Sequence, residues 1–419
     1  VSIVETATRI RMDSGVEQLV CHPRLPLVVG LDSERPAVHM WDCRELRHLG
    51  TVGADSAGYG AAYGWERAQR KPVVAWHPDE PLLLVASEGD VVRWTPTGQS
   101  ALEGLPSNAD YHSLAFGPDG HTLWAAPSSD DEEDAWERSD VIDLTSGARG
   151  IGPAWDTGIA VHPAGGLVAT LHSNQGATLV LFARTDRMGP PAAMRVLRRA
   201  LILDVDGYKT PIFSADGRYM AIRGNSYEHS LDVFEFPSLE LVLRTTLGQP
   251  HSGHSYSEEQ FEYMRSWSPH NIAFGARPGV LWIGTPTGAL IEVDLDEQRS
   301  AEHEGVIDSR VTALTATATG ELLVATSAGE LLLLSVSADP EKTGSTNGDS
   351  LRTLVTAFVD STREVPADAN LERDLLLTDG TRTWDSDDLT TVTTATSTDP
   401  TWLQLRAFLN HARDRHEGQ

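Results

Sequence analysis

The chain has 419 residues, 40% of them hydrophobic and 22% charged, and carries a formal net charge of −27. That length suits one large repeat fold or two to three compact domains. The charge argues against a nucleic-acid binder, which needs a basic patch, and no apolar run approaches the ~20 residues that span a bilayer, so no membrane association is expected.

The opening residues, VSIVETATRIRMDSG, hold no basic stretch ahead of an apolar core, so no signal peptide is expected. IVETATRIRM reads as a strand. A pattern then recurs. Its openings are VEQLVCHPRLPLVVGL, PVVAWHPDEPLLLVAS, YHSLAFGPDGHTLWAA, TGIAVHPAGGLVATLH, YKTPIFSADGRYMAIR, HNIAFGARPGVLWIGT and RVTALTATATGELLVAT. Each is followed by a further apolar run: AVHMWDCREL, DVVRWTPTG, RSDVIDLTSG, ATLVLFARTD, SLDVFEFPSLEL, GALIEVDLDEQ and GELLLLSVS. Runs of this length, rich in β-branched and aromatic residues and bounded by Gly, Pro, Asp or Asn, mark short strands. Pro-Asp-Gly and Ala-Asp-Gly suit tight turns in which Gly takes φ > 0. Units starting roughly 40 to 60 residues apart match four-stranded propeller blades.

The expected fold is therefore all-β, a β-propeller of seven four-stranded blades with eight as the alternative, spanning residues 1–337. The N-terminal strand is expected to close the ring as the outer strand of the last blade, because an open ring leaves two edges unpaired. Residues 338–350 read as a polar loop. In 351–419, LRTLVTAFVDSTREVP, DLLLTDG and TRTWDSDDLTTV read as strands, either an eighth blade or a tail. DPTWLQLRAFLNHARDR reads as a terminal helix with Asp399 as N-cap and Pro400 at N1. Trp402, Leu405, Phe408, Leu409 and Ala412 form the face expected to pack on the propeller.

The sequence resembles the WD-repeat family of β-propellers over residues 16–337. The turns FGPDGHTLWAA and FSADGRYMAI and the pair Trp41-Asp42 carry the resemblance. The Gly-His pair that opens a regular repeat is mostly missing, so the match is one of fold. It implies a binding platform, since WD-repeat propellers mostly act as such, but it carries over no functional residue.

Propeller topology places the loops after strand four and between strands two and three on one face. Three insertions fall on such loops: 53–71, 128–140 and 247–270. Binding residues favour loops above a rigid scaffold. The candidate partner-binding residues are Tyr59, Tyr63 and Trp65 in the first, and Asp131, Glu133 and Trp136 in the second. The third supplies His251, His254, Tyr256, Glu258, Phe261, Tyr263 and Trp267, with Met264 beside them. Aromatics of this kind anchor interfaces, although burial against the propeller top is the plainer reading for each alone. His251, His254, Glu258 and His270 lack a metal-site spacing such as HExxH. The acidic run 130–134 lacks a calcium-loop pattern. No metal site and no cofactor are expected. His22, His77 and His162, each followed by Pro, belong to turns on the opposite face. The stretch around Arg195, Arg198 and Arg199 reads as a solvated strand face. Cys21 and Cys43 fall on strands one and three of one blade, roughly 9 to 10 Å apart, beyond disulfide reach. Two buried free thiols are expected, in a reducing compartment.

Only Lys71, Lys209 and Lys342 are lysines; the preference for arginine fits a GC-rich genome. These features lead to a cytoplasmic bacterial scaffold that binds a protein or peptide, with the acidic field steering a basic ligand. The alternative is an enzyme, a hydrolase or lyase, with Glu258, Glu259, His254 and Asp131 in the central funnel. A third reading makes the propeller one subunit of a larger complex.

Overall fold

The structure, a computed structural model, describes residues 2–102, 104–105, 110–128, 138–174, 176–185, 193–224, 229–248, 258–337, 348–366 and 374–417. Among these, no helix is long and apolar enough to cross a membrane. The strands group into seven sheets, each built on four antiparallel strands. The inner strands are Val16–Cys21, Val73–Trp76, Ser113–Phe116, Thr157–Val161, Ile212–Phe213, Ile272–Phe274 and Val311–Ala316. They open blades I to VII. The chain is a seven-bladed β-propeller.

The second strand of each blade is sandwiched between neighbouring blades, so it loses alternation. Leu27–Asp32, Thr122–Ala126, Tyr219–Gly224 and Val280–Gly284 are buried at every position. Trp124, Trp282, Phe182 and Phe234 are among the largest fully buried side chains. The ring closes as expected. Strand Ile3–Arg11 pairs antiparallel with Glu330–Ser337 and becomes the outer strand of blade VII.

The tail differs from expectation. Residues 348–360 form a helix, Gly348–Asp360, not a strand. Leu351, Leu354, Val355, Phe358 and Val359 recur at helical spacing, and burial of Phe358 beside Phe182 and Phe236 selects the helical period, with ring centroids 4.9 and 5.0 Å away. The strands Leu376–Thr378 and Thr383–Trp384 form no eighth blade. They extend blade IV to six strands, the first running parallel to its outer strand Arg195–Asp204. That outer strand is therefore covered rather than solvated. Arg195 pairs with Glu364 at 2.8 Å, Arg198 donates to the Asp374 carbonyl at 3.1 Å, and Arg199 lies over the Phe358 ring.

The terminal helix, Thr401–Glu417, buries Trp402, Leu403, Ala407 and Asn410. Only Trp402 of the expected packing face is buried; Leu405, Phe408 and Leu409 are exposed. Asn410 belongs to the buried side because its amide donates to the carbonyls of Leu389 and Val392. The helix start also differs. Thr401 Oγ1 and the Trp402 amide donate to the carboxylate of Asp204 at 3.2 and 3.4 Å. Asp399 instead accepts from Thr396 and Arg382.

His22, His77 and His162 all sit in turns between strands one and two. Nδ1 of each accepts main-chain amides of its own turn, at 2.9 to 3.2 Å. Nε2 of His22 donates to the Glu80 carbonyl at 2.9 Å, and Nε2 of His162 to the Gly217 carbonyl at 3.1 Å. Each bond reaches the equivalent turn of the next blade. His77 packs edge-on to Phe116 of blade III. These histidines clasp neighbouring blades. Gly120 and Gly217, at φ 69° and 66°, supply the left-handed turn position, and a methyl on Gly217 would meet the His162 ring at 2.6 Å.

Cys21 and Cys43 are free. No disulfide joins them, as their places on strands one and three lead one to expect. Hydrogen bonding with Cys43, then burial, raises Cys21 well above the ordinary thiol range. Cys43 is buried and Cys21 half-buried.

Candidate functional site

The insertion-bearing face has two layers. The lower layer is the mouth of the central channel. Glu17 lies on the inner strand of blade I, Lys71 just before that of blade II, and Lys209 just before that of blade V. The Lys209 amide donates to the Arg223 carbonyl at 2.7 Å. Glu17 is held by Arg67 at 2.7 Å and by Lys71 at 2.8 Å. Arg223 is 2% exposed. Its Nε donates to Asn271 Oδ1 and its Nη1 to the Ser230 carbonyl, both at 2.9 Å. Its Nη2 is buried without a partner among the described residues.

The charges of these groups act on one another. Burial lowers Lys209 below the ordinary lysine range. Lys71 and Arg223 lower it further, while Glu17 works against them. Burial lowers Arg223 to about 10. Burial pushes His270 well below its usual value, helped by Lys209, Lys71 and Arg223. Burial, then the charge of Arg223, lowers His229 to about 4. In a seven-bladed ring, blades II and V stand on opposite sides of the axis. Interaction of Lys71 with Lys209 therefore crosses the channel.

The upper layer is built from the insertions. Helix α1, Gly64–Gln69, lies in the first, and helix α2, Glu258–Ser266, in the third. The Arg265 guanidinium lies 5.6 Å from the Tyr63 ring centroid. Since the two insertions leave the ring between blades I and II and between blades V and VI, this contact spans the channel mouth.

The individual candidates divide. Tyr59 is buried, with Arg67 and Arg70 over its ring at 4.7 and 5.7 Å. It packs the loop, and burial, then Glu17, raises its phenol to about 12. Its hydroxyl has no partner. Trp267 is half-buried with an unpartnered indole N–H. It packs with Tyr263 over Gly248 (φ 91°), where a methyl would meet Trp267 Nε1 at 2.8 Å and Tyr263 Oη at 2.9 Å. Tyr63 and Tyr263 are 71% and 43% exposed, which leaves their rings available to a partner. Asp131, Glu133, Trp136, His251, His254 and Tyr256 lie outside the described residues, as do the side chains of Trp65, Glu258, Phe261 and Met264. Glu259 is exposed on α2. Among the described residues no cluster of three His, Cys, Asp or Glu could hold a metal ion.

The sequence reading missed Lys209, Arg223 and Asn271. One signal was present: of three lysines in the chain, two directly precede inner strands, in KPVVAW and KTPIF.

No protein-family model and no curated protein matches the chain. Among solved structures, it is similar to the β-propeller domain of Cps50 (Swd1) from Myceliophteria thermophila. The TM-score is 0.52 at 13% sequence identity, covering 80% of this chain and 100% of that one. What the two share is the fold. Fold alone does not fix function.

Proposed function

We propose that this protein is a scaffold that binds a protein or peptide on the insertion-bearing face of its propeller. The observation that carries the reading is the contact of Tyr63 with Arg265, which joins two insertions above the channel and leaves Tyr63 and Tyr263 exposed. Exposed aromatics on loops braced by a rigid ring are the usual anchors of an interface. The net charge of −27 favours a partner with a basic surface, through steering rather than contact energy. Free thiols at Cys21 and Cys43 support a reducing compartment such as the cytoplasm.

The test is affinity capture from an extract of the source cells, with wild-type protein and a Tyr63→Ser/Tyr263→Ser double variant as baits. A partner retained by wild type, lost by the double variant and retained by an Arg24→Gln control on the opposite face is the expected result. Retention of the same proteins by all three baits would remove the insertion face from the interaction.

A further inference from the structure

We propose that the mouth of the central channel is an oxyanion-binding site, in which Lys209, Arg223 and Lys71 receive a phosphate or carboxylate group beneath the Tyr63–Arg265 bridge. This inference stands independently of the scaffold reading.

The first observation is an excess of cations where the rest of the protein is acidic. Lys71, Arg67, Lys209 and Arg223 gather at one end of the channel of a chain with net charge −27. Glu17 is the carboxylate among them, and it is already engaged by Arg67 and Lys71. Among the described residues, Lys209 makes no ion pair, although Lys71 and Arg223 both repel it. Collecting like charges is unfavourable unless a counter-charge joins them. A buried cation without a partner is costlier still.

The second observation is independent and points to a ligand. Arg223 is 2% exposed and its Nη2 has no acceptor among the described residues, while the other two nitrogens of its fork are satisfied by Asn271 and Ser230. Unpartnered polar atoms are rare in protein interiors. On this same face they recur at the Tyr59 hydroxyl, His229 Nε2 and Thr157 Oγ1. A guanidinium held by two fixed bonds presents its remaining N–H groups in a preset direction, which suits an oxyanion. Lys209 and Lys71 stand just before the inner strands of blades V and II, on opposite sides of the axis, as point charges.

The anion could be free in solution or carried on an acidic peptide. Two arms of one experiment separate these sources. Isothermal titration at pH 7 and low ionic strength uses inorganic phosphate in the first arm and acetylated, amidated pentaglutamate in the second. We expect saturable one-to-one binding in at least one arm, at least tenfold weaker in Lys209→Gln and unchanged in Arg24→Gln on the opposite face. Binding of phosphate names a free anion; binding of the peptide alone names a carried one. Lys71→Gln, which removes the opposing charge, serves as the second variant should Lys209→Gln fail to fold. Absence of saturable binding by wild type in both arms would overturn the proposal. So would undiminished affinity in the folded lysine variant. The scaffold reading is judged separately, since Tyr63→Ser/Tyr263→Ser leaves all three cations in place.

Discussion

Replacing His162 by Gln should remove a specific part of the protein's pH dependence. His162 is fully buried between blades IV and V, its Nδ1 accepting from the Ala164 amide and its Nε2 donating to the Gly217 carbonyl. Only the neutral ring can do both. Burial lowers it from the ordinary 6.5 to about 4. In that interval the unfolded chain binds a proton that the folded chain does not, so stability is complete above about pH 6.5 and falls as pH drops towards 4. At 1.36 kcal/mol per unit, lowering pH from 7.5 to 5 costs about 2 kcal/mol through this group alone. Gln keeps a donor for Gly217 but does not titrate. It also loses ring packing against Phe213 and Phe236, at 5.0 and 4.9 Å, so the variant is less stable at pH 7.5. Urea unfolding of both proteins at pH 7.5, 6.5 and 5 measures the gap, which should narrow by about 2 kcal/mol at pH 5. The other buried histidines cancel in the difference. Parallel stability curves would show that the ring is not held neutral by its site.

Other outcomes follow from the same packing. Phe358→Ala should destabilise by about 3–5 kcal/mol and expose the helix 348–360 to proteolysis before the propeller, read by limited digestion. Gly217→Ala places a methyl against the His162 ring at a φ of 66° and should lower the melting temperature more than Gly147→Ala, which meets nothing. Asp204→Ala, which uncaps the terminal helix, should cost about 1 kcal/mol, visible as loss of helical signal on mild heating. Cys21 and Cys43 should react with a thiol reagent at pH 8 far more slowly in the folded than in the urea-unfolded protein, because burial and their mutual hydrogen bond keep Cys21 protonated.

The blades were legible because each strand carries its own signal. LLLVAS and TLWAA are short, apolar and bounded by turn residues, and the closing role of Ile3–Arg11 follows from the need to cover an edge. The turn positions of His22, His77 and His162 follow from the same count. The tail was not legible in this way. LRTLVTAFVD combines a helical spacing of Leu351, Leu354, Val355 and Phe358 with a β-branched composition, and tertiary burial of Phe358 decides between them. Pairing of Leu376–Thr378 with the outer strand of blade IV joins segments remote in sequence, and no local pattern announces it. The same holds for the channel mouth. Lys71, Lys209 and Arg223 come from blades II and V, so only ring closure brings them together. Of the sequence candidates, Tyr63 and Tyr263 are exposed as a binding role requires, whereas Tyr59 serves packing.

Closure by the N-terminal strand also sets an order of events during synthesis. Ile3–Arg11 leaves the ribosome before any of the seven inner strands, yet its partner Glu330–Ser337 is made only after all of them. Throughout elongation the nascent chain therefore carries an unsatisfied strand at one end of a growing arc of blades, with a second open edge at the other. Both edges can pair with foreign strands, and the channel does not exist until they meet. The acidic surface, which repels neighbouring copies, is then most useful before the ring has formed.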